Sequence, residues 1–543
     1  MKADLFFTNG EVITVDSKFT ITDSAAIAGN RIMATGSYDE LKGWIGESTE
    51  IIDLEGKSLL PGIIDSHLHI GIHGLLKMSH DVKKYKSIKE LVSDFQEKVE
   101  QLPEGEWLRG WNFNDNTVEE RRLPTKEDLD QISAKHPIYI QRVCGHIVSA
   151  NSYALKLAGI TKDTVSPDGG DITIEHGELN GVLKETASNL VTDLDQYSDE
   201  EYIEGLKKAA KDYLSVGITS VHDLGGRDNH MMLLQKAARD PEFHMRIYAA
   251  VVKLFENTPN AINTMLHAGI LSGLGDEKFK IGPSKLFLDG TIGGRTAFMT
   301  EGYVEEENNK GISYLDQETL NAIMEKAHIA GNQLTAHAIG NGALKQMISC
   351  IDYVTSLDGR KDHRHRIEHA PLPDEEDMKK IKELGIVINL NPAFLYEHGE
   401  DYKENIGEER VHKMMPIKTL LEKGIMVCAS SDSPYFHHYN PFLGMYELVN
   451  RKTKKGMFIG FDEKISIEDA IKIFTYNNAY ASFEEHIKGS IEAGKLADLV
   501  VLDRSILNCP SESIKDIKVE MTIFDGKAVY ENKLAEINGG ARG

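Results

Sequence analysis

The chain has 543 residues, a formal net charge of −24, 41% hydrophobic and 27% charged residues. That is too long for one simple core and enough for two or three domains. The acidic balance argues against nucleic acid or an anionic membrane as the main partner. Four scattered cysteines (Cys144, Cys350, Cys428, Cys509) form no Cys-x-x-Cys pair, which suits a reducing compartment without a disulfide framework. The early apolar stretch Leu5-Phe6-Phe7 is too short for a signal peptide. No run approaches the ~20 apolar residues of a membrane span. The expectation is a soluble cytoplasmic homodimer that acts on a small molecule, with no nucleic-acid or membrane partner.

Residues 1–58 read as short β-branched or apolar strands separated by turn signals such as Asn9-Gly10 and Gly29-Asn30. Similar strands return at the far end, where Leu499-Val500-Val501-Leu502 precedes a hairpin with Asp525-Gly526-Lys527 at its turn. One β-sandwich built from both termini, residues 1–58 and 490–543, is expected.

Leu59-Leu60-Pro61-Gly62-Ile63-Ile64-Asp65-Ser66-His67-Leu68-His69 follows. Side chains alternate along a strand, so Asp65, His67 and His69 are expected on one face. Two imidazoles at i and i+2 can bind one metal ion, and Asp65 is a candidate outer partner that orients a ring.

From residue 217 onward, strand candidates at 217–223, 246–252, 285–289, 333–339, 366–370, 385–390 and 426–432 alternate with helical stretches. With the strand ending at His69 they number eight. Eight strands with helical crossovers predict an α/β fold of (β/α)8 TIM-barrel type, with its active site at the C-terminal strand ends. The barrel is assigned residues 59–74 and 201–489. The span between its first two strands is too long for a loop, so residues 75–200 are read as an inserted α/β subdomain covering the active site.

The barrel strands carry His67 and His69, Lys285, His337, His369 and Asp432. A lone histidine on an apolar strand is usually a packed one. Four histidines and an aspartate at the ends of four strands point instead to a metal, and imidazole with carboxylate suits Zn, Fe or Mn. His222, at the end of the second strand, is a further candidate to orient a ligand.

These motifs resemble metal-dependent hydrolases of the amidohydrolase superfamily, and more closely its YtcJ-like group, which includes N-substituted formamide deformylase. The likeness rests on Pro61-Gly62 with Asp65-Ser66-His67-Leu68-His69, and on Lys285-Leu286-Phe287-Leu288-Asp289-Gly290 with Arg295-Thr296-Ala297. It continues through His337-Ala338-Ile339-Gly340, Arg366-Ile367-Glu368-His369-Ala370, Ser431-Asp432, Gly489-Ser490-Ile491 and Gly494-Lys495-Leu496-Ala497-Asp498-Leu499.

The resemblance implies one or two divalent metals per chain, zinc by expectation, with a carbamate on Lys285 as the bridge. One ion would take His67, His69, Asp432 and the bridge, and the other His337, His369 and the bridge. A mononuclear site is the rival. The implied activity is hydrolysis of an amide-type C–N bond (N-formyl, N-acyl or cyclic) by metal-bound hydroxide, with Asp432 as proton shuttle. The alternatives are a metal-dependent deaminase and a non-catalytic regulatory or binding protein on the same scaffold.

Several residues have two readings. His146, in Cys144-Gly145-His146, is a donor to the substrate carbonyl or a structural histidine, and Cys144 replaces the aspartate usual in the group. Trp111 and Phe113 line an apolar pocket or simply pack. Arg295 meets a polar substrate group or forms a loop ion pair. Asn341 stands where the group has aspartate, which puts the setting of His337 in question. His363, His365, His437 and His438 are expected to be exposed loop histidines.

Overall fold

The structure is a computed structural model. It describes residues 2–143, 147–167, 169–226, 229–253, 261–435 and 439–532. The chain divides into two compact units, Met1–Gly71 with Ala209–Gly543, and Ile72–Lys208.

The first unit contains the barrel. Its strands are β1 (Ile63–Leu68), β2 (Ile218–Asp223), β3 (Arg246–Val252), β4 (Phe279–Phe287), β5 (Leu334–Ala338), β6 (Arg366–His369), β7 (Val387–Leu390) and β8 (Val427–Ala429). Each pairs in parallel with the next along one eight-stranded sheet. The strands are buried almost throughout, as a parallel sheet covered by helices requires.

Helix ends follow local chemistry. The Asp374 side chain accepts from Asp377 N–H in a capping box at the start of Glu375–Leu384, and Gly385 ends that helix at φ 68°. The Asp316 side chain accepts from Thr319 N–H at the start of Gln317–Ile329.

The sheet closes without a regular ladder between β8 and β1. Asp432 N–H donates to His67 O and His69 N–H to Ser433 O, both at 2.8 Å. Below them the Asn478 amide donates to Ile64 O (2.5 Å) and Ala429 O (2.8 Å). Asn478 follows directly on the π-helical turn Ile473–Asn477.

β4 starts at Phe279, six residues before the strand start read from sequence at 285. Gly282-Pro283 forms an irregularity within the strand. Ala249 pairs with Ile281 and Val251 with Ser284, so β4 carries one residue more than β3. Lys285 therefore lies inside the strand and is fully buried.

The same unit holds two further sheets. One joins Leu5–Thr8, Ser24–Ala28, Arg31–Gly36 and Glu50–Asp53. The other joins Glu11–Ile13, Ile21–Thr22, Ser58–Pro61, Leu499–Leu502, Val519–Phe524 and Lys527–Glu531. Phe7, Ile27, Leu59, Leu499 and Ile523 share one core between them, so both ends of the chain build one sandwich. Asp525 and Gly526 turn its last hairpin with positive φ, 54° and 76°, as a two-residue turn demands.

The second unit is a six-stranded sheet with helices. Ile88–Val99 buries Ile88, Leu91, Val92, Phe95 and Val99 at helical spacing. Trp111 is half-buried on the strand Leu108–Phe113, while Phe113 is packed in the core of this unit. Asn151 caps Ser152–Leu157 through its side chain and also accepts from Ile138 N–H. His176 and Gly177 form a positive-φ hairpin turn between Gly170–Glu175 and Glu178–Glu185. No helix among the described residues is long and apolar enough to cross a membrane.

Candidate metal centre

The C-terminal ends of β1, β4, β5 and β6, with the segment after β8, bring His67, His69, Lys285, His337, His369 and Asp432 together. Asp432 Oδ1 lies 3.3 Å from His67 Nε2 and 3.4 Å from His69 Nε2. These three residues form a compact group of potential metal ligands. Lys285 Nζ is 3.3 Å from His67 Nε2. The His369 ring stands 4.8 Å from that of His67 and 4.6 Å from that of His337, centroid to centroid.

Each of the four rings has one nitrogen pinned by an acceptor. His67 Nδ1 donates to Glu368 Oε2 (2.8 Å), His69 Nδ1 to Gly225 O (3.0 Å) and His369 Nδ1 to Asn391 Oδ1 (2.6 Å). His337 is turned the other way, with Nε2 donating to Gly290 O at 3.0 Å. A neutral imidazole carries one N–H and one lone pair, so these partners leave Nε2 of His67, His69 and His369, and Nδ1 of His337, free to bind a metal.

Electrostatics agree. Burial, helped by the Lys285 cation, pushes His67 down to about 3. Burial also holds His337 well below the ordinary histidine value and lowers His369. His67, His337 and His369 stay neutral and able to coordinate at physiological pH. Burial works to raise Asp432, and only protonated His67, His69 and His369 rings, or a cation in their place, pull it below the ordinary carboxylate range. Burial brings Lys285 down to about 8, against the opposing pull of Glu368 and Asp432. Neutral imidazoles, a carboxylate and a readily neutralised amine are a donor set that fits a divalent metal of the Zn, Mn or Fe kind.

A family model described as the amidohydrolase family matches residues 50–530. The chain belongs to the amidohydrolase family. It is 30% identical over 533 residues to a Bacillus subtilis protein named as an amidohydrolase, YtcJ, spanning 96% of this chain and 98% of that one. It is 29% identical over 549 residues to the N-substituted formamide deformylase of Arthrobacter pascens, spanning 97% and 98%. A crystal structure of an uncharacterized metal-dependent hydrolase from Pyrococcus horikoshii superimposes with a TM-score of 0.77 at 26% identity, covering 94% of this chain and 99% of that one.

In this amidohydrolase, Asp65 does not orient a ring. Its carboxylate accepts the backbone N–H groups of His67 and Ser431, each at 3.1 Å, so it fixes the two ligand-bearing segments. The ring-orienting role falls to Glu368. His222 acts one step further out, with its Nδ1 accepting from Arg366, which in turn contacts Glu368.

The Arg295 guanidinium is occupied by Glu306 (2.6 Å) and Asn405 (2.8 Å), the loop ion pair rather than a free substrate contact. Asn341 exchanges two hydrogen bonds with Thr300, both 2.8 Å, and so ties the loop after β4 rather than the His337 ring. His363 and His365 are buried, not exposed. His365 Nε2 donates to His328 Nδ1 (2.8 Å) and His363 Nε2 to Leu384 O (2.8 Å), and the two rings stack. Cys144, His146, His437 and His438 lie outside the described residues.

The sequence reading assigned no role to Glu368, Asn391, Gly225 or Gly290. Two of these supply backbone carbonyls, for which side-chain identity gives no signal. Glu368 had one, a carboxylate next to a ligand histidine, but strict alternation places it on the opposite face from His369. The structure breaks that alternation with φ values of 73° at His369 and 33° at Ala370. The site's surroundings are also aromatic: Tyr435 sets its ring edge against His69, Phe287 flanks His337 and Phe394 stacks on His369.

Proposed function

We propose that this amidohydrolase cleaves the C–N bond of a small, non-peptide amide, of N-formyl, N-acyl or cyclic type, at a binuclear metal centre. His67, His69 and Asp432 would hold one ion and His337 and His369 the other, with Lys285 as a bridging carbamate. The observation that carries the reading is the set of four rings, three buried and His337 partly so, each pinned at one nitrogen and open at the other. When bound, divalent metals at such a site lower the pKa of water toward ~7 and polarise a carbonyl.

The chain's own residues supply the rest. Asp432 is ionised and within 3.4 Å of two ligand nitrogens. It can accept the proton of the attacking water and deliver it to the leaving nitrogen, as C–N cleavage requires. Neutral Lys285 amine adds to CO2 and loses a proton, giving an anion with two oxygens. The lowered value of Lys285 makes that amine available near neutral pH. His146 is the candidate donor to the substrate carbonyl, on sequence grounds, and zinc is the metal proposed.

The test is amine or ammonia release from an amide panel with Zn or Mn added, comparing the native chain with Asp432→Asn. Loss of the proton carrier is expected to lower turnover by about 10²–10⁴-fold. Equal turnover in the variant would refute the role given to Asp432.

A further inference from the structure

Glu368 is fully buried one residue before His369 on β6. Donors from three strands converge on it besides His67. Thr335 Oγ1 on β5 donates at 2.6 Å, Asn389 Nδ2 on β7 at 2.7 Å and the Arg366 guanidinium on β6 at 3.0 Å. Arg366 is equally buried and is itself held by Ser66 O (2.6 Å) and His222 Nδ1 (2.8 Å).

A carboxylate has no proton to give, so each of these contacts must be a donation to it. The contact with His67 Nδ1 therefore obliges the proton to sit on Nδ1. It leaves Nε2 bare, and that is the nitrogen that faces Asp432 Oδ1 and Lys285 Nζ. The Asp65 carboxylate instead accepts the backbone N–H groups of His67 and Ser431.

We propose that Glu368 is the positioning residue of the metal centre, fixing the tautomer and direction of His67, and that the Arg366–His222 pair exists to hold Glu368 in place. This rests on the reading of the site as a metal centre. Acceptors of this kind typically contribute 10–100-fold to metal affinity.

Deleting one member of a buried ion pair strands the other, so two variants are needed. Glu368→Gln keeps shape but replaces one accepting oxygen with a donor. Arg366→Met with Glu368→Leu removes both charges together and leaves an apolar filling. The full-length chain is stripped of metal and titrated with Co²⁺ against a competing chelator. The visible bands of bound Co²⁺ are recorded, and circular dichroism melting of the metal-free proteins reports the fold.

The expected result is that both variants remain folded before melting and bind Co²⁺ 10–100-fold more weakly, with altered bands. A folded variant with native affinity and native bands would overturn the role of Glu368 while leaving the metal centre standing. A native chain that binds no Co²⁺ would overturn the metal centre itself, and this role with it.

Discussion

Asp432 and His67 are joined twice. The Asp432 N–H donates to the His67 carbonyl at 2.8 Å, and its Oδ1 stands 3.3 Å from His67 Nε2. The backbone link closes the barrel where β8 and β1 have no ladder, and the side-chain approach builds the centre. Barrel closure and ligand geometry are thus one structural event.

Metal is therefore expected to stabilise the fold. At a free concentration 100-fold above Kd, a ligand that binds only the folded chain adds about 2.7 kcal/mol, a shift of about 2–3 degrees in Tm for a chain of this length. Zn or Mn should raise the Tm of stripped protein, and a chelator should reverse it. The gain should shrink sharply in His67→Ala with His69→Ala; an undiminished gain would place the metal elsewhere.

Asn478 should matter without touching the centre. Its amide serves Ile64 O and Ala429 O across the seam. Asn478→Leu removes this donor from both carbonyls and leaves Ala429 O to the Ser66 hydroxyl (3.0 Å), at a cost of about 1–3 kcal/mol. Urea unfolding of the metal-free chain measures this, and metal affinity should fall as the seam loosens.

Gly225 carries the carbonyl that orients His69. Its φ is 121°, and an added Cβ would lie 2.7 Å from Val252 Cγ2. Gly225→Ala is expected to cost about 1–3 kcal/mol of strain and to weaken Co²⁺ binding. Native affinity in this variant would show that the His69 ring holds its direction without that carbonyl.

The cluster of His328, His363 and His365 sets an acid limit. Burial lowers all three, His363 to about 4 against an ordinary 6.5. Below pH 6.5 the unfolded chain binds protons that the folded chain refuses. Stability is therefore full above that value and falls as the pH drops toward 4. His363 alone accounts for on the order of 3 kcal/mol across this window. Unfolding free energies of stripped protein at a series of pH values should show that decline, and His363→Gln should show a shallower one.

Much of this was legible in the sequence. Apolar runs and helix punctuation located all eight barrel strands, and the histidine and aspartate positions at their ends are residues that the fold brings together. What stayed hidden is backbone detail. Asp432 lies beyond the end of β8 at φ 57°, and His369 at φ 73° turns to the same side as Glu368. Neither follows from alternation. The first six positions of β4, from Phe279 to Ser284, include Gly282-Pro283, which is no strand signal. His363 and His365 sit in a polar stretch, Lys361-Asp362-His363-Arg364-His365, that reads as surface. Only the two histidines are buried, because ring-to-ring and ring-to-backbone hydrogen bonds satisfy them, while Lys361 and Asp362 stay exposed.

The most direct test of the central claim is metal content per chain, paired with intact mass under gentle conditions at neutral pH. The account predicts two divalent ions per chain and the mass increment of one CO2, which disappears in Lys285→Ala. A chain that takes up no divalent metal after reconstitution and carries no increment would contradict it.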